Sequence, residues 1–101
     1  MENLIDVIIE KLGKEELLCH LAEEASELSQ AALKLRRSYD GKNKTPKSES
    51  ECFEQLLEEI CDVCVCCTAL RLDTKENRNH MAEIMQAKII RWVERLEEKD
   101  A

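Results

Sequence analysis

Residues 48–70, SESECFEQLLEEICDVCVCCTAL, place Phe53, Leu56, Ile60, Val63, Cys67 and Leu70 at alternating steps of three and four. Side chains at those steps share one face of an α-helix, so the segment reads as a helix with a single apolar stripe. Ser48 with Glu51 three residues on is a capping box that starts it, and its end is expected near Leu72. Working outward, residues 2–12 carry Leu4, Ile5, Ile8, Ile9 and Leu12 at helical spacing, and Gly13 follows as a stop. From Lys14 to about Arg37, Leu17, Leu21, Leu28, Ala31 and Leu35 form a second stripe, with Glu24 standing where the ladder calls for an apolar residue. Residues 38–49, SYDGKNKTPKSE, lack apolar periodicity and read as the one long connector. Asp73 with Glu76 is a second capping box, after which Met81, Met85, Ile89, Trp92 and Leu96 mark a fourth helix to about Lys99. The expectation is an all-α, four-helix bundle forming a single domain over residues 1–101.

Composition supports that class. Among 101 residues, 44% are apolar and 37% charged, with 2 Gly, 1 Pro and 3% aromatics against 17 Glu, 13 Leu and 8 Ala. Strong helix formers and scarce turn residues exclude a β-sandwich, a barrel or a Gly-rich nucleotide loop. No apolar run approaches the roughly 20 residues needed to span a bilayer. The N-terminal stretch MENLIDVIIEKLG has no basic lead-in and no small-residue cleavage site, so a soluble, cytoplasmic protein away from membranes is expected. A net charge of −7 disfavours a nucleic-acid partner. Four of the six cysteines, Cys61, Cys64, Cys66 and Cys67, crowd one helical segment, where they read as free, buried small hydrophobes. The C-x-x-C at Cys61 and Cys64 and the Cys19–His20 pair suggest zinc only weakly, because structural zinc sites draw on separated pairs at turns or helix starts. About 100 residues bury a thin core, and helices with two apolar flanks need a partner, so a homodimer or homotetramer is expected.

The second and third expected helices carry a short repeat, LAEEASEL at 21–28 and LLEEICDV at 56–63, in which the acids superimpose at an offset of 35 residues. Glu24 and Glu27 project from one face, as do Glu59 and Asp62, three residues apart in each pair. Acids on helices ordinarily make a solvated face. Here both copies set an acid within or beside an apolar ladder, and pairing the two seams brings four carboxylates to one small space. Like charges so placed are costly without a counter-ion. An oxygen-only ligand set of Glu24, Glu27, Glu59 and Asp62 favours Mg²⁺, with Mn²⁺ as its substitute, over zinc; the Glu-x-x-His of di-iron bundles is absent.

EEASE at 23–27 and EEICD at 58–62, each on an expected helix and followed by a basic helix, resemble the MazG-like all-α nucleoside triphosphate pyrophosphohydrolases. The resemblance spans about Leu17 to Leu96 and rests on an E-x-x-E followed by an E-x-x-D. It implies that the four acids bind Mg²⁺ and that water attacks the α-phosphorus of a nucleoside triphosphate, giving monophosphate and pyrophosphate. Its implied biological use is removal of surplus or non-standard nucleotides. Such chemistry needs charge neutralisation and an oriented water more than a protein nucleophile. Glu23 and Glu58 are the candidates to orient or deprotonate that water, and outer-shell or solvent roles suit them equally. Lys88, Arg91 and Arg95, at i, i+3 and i+7, make a basic stripe suited to phosphate, with ion pairing to nearby acids as the plain alternative. Trp92 and Phe53 read as core, with a base-stacking platform as the alternative, and His20, one turn before Glu24, as a surface or core residue, with an approach to the metal site or substrate as the alternative. Tyr39 and the lysines of residues 42–47 belong to the connector. The alternative function is a non-catalytic helical dimerisation, adaptor or nucleotide-binding protein with a structural cation.

Overall fold

A computed structural model describes residues 3–40 and 47–100, and among them there is helix and no strand. Three helices are present: α1 over Leu4–Asp40, α2 over Glu49–Ala69 and α3 over Lys75–Asp100. Three spans stand where four helices are expected because α1 joins the first two across a kink. Gly13 still marks their junction, with φ 79° and ψ 167° inside an otherwise helical run. Only glycine adopts that backbone region readily, which is why the break falls there. α1 also runs past the expected end at Arg37, and the Ser38 hydroxyl donates to the Leu35 carbonyl at 2.6 Å within this extra turn. Residues 41–46 of the expected connector lie outside the described residues.

The chain forms two compact units, Met1–Arg71 and Leu72–Ala101. In the first, α1 and α2 pack as an antiparallel pair: Leu17 and Ala69 line one cleft, while Glu24 and Glu27 meet Glu59 and Asp62 further along. The core is thin and consists of Leu17, Ala31 and Leu35 from α1 with Cys52, Cys66 and Ala69 from α2. The stripe of α2 is rotated from the expected one. Cys52, Leu56, Glu59, Val63, Cys66 and Leu70 face α1, whereas Phe53 and Ile60 are 50% and 41% exposed. Phe53 is therefore not a core residue. The inward stripe steps 4-3-4-3-4, the same steps as Leu17, Leu21, Glu24, Leu28, Ala31 and Leu35 of α1, and an acid holds the third place of each ladder. Cys52 and Cys66 thus take the buried places of α2, and the more apolar Phe53 and Ile60 the exposed ones.

The ends of the helices follow local chemistry. Ser48 caps α2: the Glu51 amide donates to its Oγ at 3.2 Å, and the Ser48 amide donates to the Glu51 carboxylate at 3.2 Å. Those bonds hold the Glu51 carboxyl below the usual carboxylate range. α2 ends at Ala69 with Leu70 as its cap, before the expected Leu72, and Arg71 takes a left-handed φ of 60°. A non-glycine residue there costs about 1–2 kcal/mol. Arg71 also donates to Asp6 at 2.6 Å, tying the segment before Gly13 to the end of α2. Both side chains of this ion pair are exposed, so it contributes at most about 1 kcal/mol.

In the second unit α3 starts one residue later than expected. The Thr74 hydroxyl accepts from the Asn77 amide at 3.2 Å, so Thr74, not Asp73, is the cap. None of the apolar residues of α3 is buried. The expected ladder of Met81, Met85, Ile89, Trp92 and Leu96 is exposed, with Trp92 at 66%. Ile84, Ile90 and Val93 extend the apolar surface beyond that ladder, so it is wider than one neighbouring helix covers. No described helix is long and apolar enough to cross a membrane.

Candidate metal centre

The antiparallel pairing of α1 and α2 sets the two acid pairs against each other. Glu24, Glu27, Glu59 and Asp62 each offer a carboxylate oxygen, and these atoms all lie within 4.8 Å of one another. Among the described residues this is the only such group of three or more His, Cys, Asp or Glu side chains. Glu27 and Asp62 face solvent, while Glu24 and Glu59 are half-buried at the third place of each inward ladder. Their Oε2 atoms are shut off from water and have no hydrogen-bond partner. An ionised carboxylate so placed is expensive to keep, and leaving a buried polar atom unmade costs more than a made bond returns.

The carboxyls register that cost. Burial is the largest cause raising the Glu24 carboxyl above its ordinary value, followed by the charges of Glu27, Asp62 and Glu59. Glu59 is raised for the same reasons, burial first and then the charges of Glu27, Asp62 and Glu58. No cation is among the causes acting on either carboxyl. The donor set consists of oxygen alone, and two of its atoms lack partners. Opposite ligands of an octahedral Mg²⁺ lie about 4.2 Å apart. The upper limit of 4.8 Å therefore has the size of a site for one hard divalent cation bound through oxygen.

The surroundings divide the remaining expected site residues. Glu23 and Glu58 are exposed, each next to one acid pair, and Glu58 shares a shallow groove with Glu59, Glu51, Glu54 and Lys47. His20 is half-buried and stands outside the group of four. Lys88, Arg91 and Arg95 line one groove of α3 together with Trp92. Lys42 and Lys44 lie outside the described residues, while Lys47 hydrogen-bonds Gln55 at 3.4 Å and Tyr39 is exposed.

The cysteines divide too, which corrects the expectation that the crowded thiols at Cys61, Cys64, Cys66 and Cys67 are buried together. Cys52 and Cys66 are buried and Cys67 is half-buried, but Cys19, Cys61 and Cys64 are exposed. Four cysteines within seven residues of a helix cannot all face one seam. Cys66 lies behind the acids: burial first, then Glu24, Cys67 and Asp62, push its thiol up. Sequence reasoning missed that neighbour, although Cys66 lies four residues from Asp62 and so one helical turn away.

Fold and site thus define an all-helical protein with a two-helix, four-carboxylate cluster. No family model, no curated protein and no solved structure matches the chain.

Proposed function

We propose that the chain is a Mg²⁺-dependent nucleoside triphosphate pyrophosphohydrolase of the MazG-like all-α kind, converting a ribo- or deoxyribonucleoside triphosphate to monophosphate and pyrophosphate. The observation that carries this reading is the meeting of Glu24, Glu27, Glu59 and Asp62, with two carboxylate oxygens shut in and unpartnered. Mg²⁺, or Mn²⁺ in its place, supplies charge neutralisation for the triphosphate when bound. Glu24 and Glu59, set in the helix seam, hold it from the inside, and Glu27 and Asp62 hold it from the solvent side. Glu23 or Glu58, exposed beside the pairs, orients the attacking water and takes its proton; both are within one residue of a ligand. Lys88, Arg91 and Arg95 bind phosphate oxygens through charge-assisted hydrogen bonds. The exposed apolar surface of α3 favours a homodimer or homotetramer as the working form.

The test is incubation with a panel of ribo- and deoxyribonucleoside triphosphates, with Mg²⁺ and with EDTA, and separation of the products. Monophosphate plus pyrophosphate, formed only with metal, is the expected result. Diphosphate plus phosphate refutes the cleavage position. No turnover, with stabilisation by Mg²⁺ that nucleotide does not change, assigns the cluster to a structural cation in a dimerisation or adaptor protein.

A further inference from the structure

Trp92 is 66% exposed, more so than any other large apolar side chain of α3. It is the chain's one tryptophan. Lys88 precedes it by four residues, Arg91 by one, and Arg95 follows by three, and the four side chains line one groove. None of the three cations has an ion-pair partner among the described residues. On a chain of net charge −7, three unpaired cations around one bare indole are a local reversal of sign. A purely apolar partner placed over Trp92 must bury or displace those charges, which is costly. A ligand that is planar at one end and anionic at the other uses both features at once. Aromatic side chains stack any base through its π-face, and arginines beside them take phosphate oxygens in forked hydrogen bonds. Lys88 and Arg95 are about 10 Å apart along the helix axis, so cations flank the indole on both sides.

We infer that Trp92 is the platform on which the base of a nucleotide stacks, with Lys88, Arg91 and Arg95 around it taking the phosphate oxygens. The inference rests on the proposed function for the identity of the ligand and adds the residue that senses its base. Stacking tolerates every base, so Trp92 distinguishes nucleotides from base-free polyphosphates without selecting one base.

The full-length protein provides its own reporter, because all tryptophan emission comes from residue 92. ATP and inorganic tripolyphosphate are titrated in Mg²⁺, following emission and, by calorimetry, affinity. ATP should quench the emission, and tripolyphosphate should bind while leaving it largely unchanged. Trp92→Leu should weaken ATP tenfold or more and leave tripolyphosphate affinity as it was, whereas Trp92→Phe should keep most of the ATP affinity. Circular dichroism of both variants checks the fold. Three results overturn the inference: ATP bound without a change in emission, equal weakening of both polyanions by Trp92→Leu, or conversion of an oligomer to monomers by Trp92→Leu in sedimentation. Failure of the proposed function reads differently. Base-dependent quenching without formation of monophosphate and pyrophosphate refutes the reaction and retains the stacking site, and turnover without quenching does the reverse.

Discussion

Replacing Glu59 by Gln keeps the side chain's shape and removes one of four negative charges, and its effect on stability should reverse with Mg²⁺. In wild-type protein at a Mg²⁺ concentration 100 times the dissociation constant, a site that exists only in the folded chain adds about 2.7 kcal/mol. For a domain of this size that raises Tm by about 11–22 °C. Glu59 supplies one of the four gathered oxygens, from the buried side of the cluster. Its loss should cost at least the 10- to 100-fold in affinity that changes to outer-shell partners cost. At a hundredfold loss the same Mg²⁺ adds only about 0.4 kcal/mol, or about 2–3 °C. Without metal the sign turns, because the variant relieves repulsion from Glu27 and Asp62, and Glu59→Gln should melt at or above wild type at pH 7. Thermal unfolding followed by circular dichroism, in Mg²⁺ and in EDTA, measures both effects. An equal Mg²⁺ shift in the two proteins, or a less stable variant in EDTA, refutes the assignment of Glu59 to a cation site.

Further outcomes follow from the same geometry. Glu24 and Glu59 have carboxyls raised above 4.5, so the metal-free native state holds more protons than the unfolded chain in that range. The stability they confer is present below the unfolded value and is lost as pH rises through the folded one. The Tm difference between wild type and Glu24→Gln/Glu59→Gln in EDTA should therefore move against wild type as pH climbs from 4.5 to 7, and a difference that stays constant with pH contradicts the shifts. Gly13→Ala places a Cβ where nothing lies within 4 Å, so its cost is torsional only. At that φ and ψ the cost is about 1–3 kcal/mol, readable as a lower urea midpoint with an unchanged slope. A thiol reagent under native conditions should label Cys19, Cys61 and Cys64 rapidly and spare Cys52 and Cys66 until the chain unfolds, with peptide mapping as the check. Rapid native labelling of Cys66 contradicts its burial.

Periodicity located the helices because a helix that packs on one neighbour must repeat its apolar residues every three or four positions, and that repeat is a property of the chain alone. The cap at Ser48 was legible for a similar reason, since its hydrogen bonds span three residues. Other local details were not so clear. The cap of α3 is Thr74 rather than Asp73, because either oxygen suits an N-cap and one residue of helix decides between them. The register of α2 was also hidden. Phe53 and Ile60 are more apolar than Cys52 and Cys66, yet the thiols are the buried ones, because the face of α2 that is covered is set by its pairing with α1, which no single helix records. The exposed Trp92 belongs with these misses. Its spacing fits a core ladder, although the cations at four before, one before and three after were in plain view.

By itself the sequence determined that the chain is helical and that two of its helices carry matched acid pairs, since spacing and charge are local. It also set those pairs on the same turn of each stripe, because i and i+3 share a face whatever surrounds them. Only the tertiary structure decided that the pairs meet. Antiparallel packing of α1 on α2 brings Glu24, Glu27, Glu59 and Asp62 within 4.8 Å, which residues more than 30 positions apart in the chain cannot do by local geometry. The same packing shut Oε2 of Glu24 and of Glu59 away from water without a partner. Burial depends on what covers an atom, and what covers these two is the other helix.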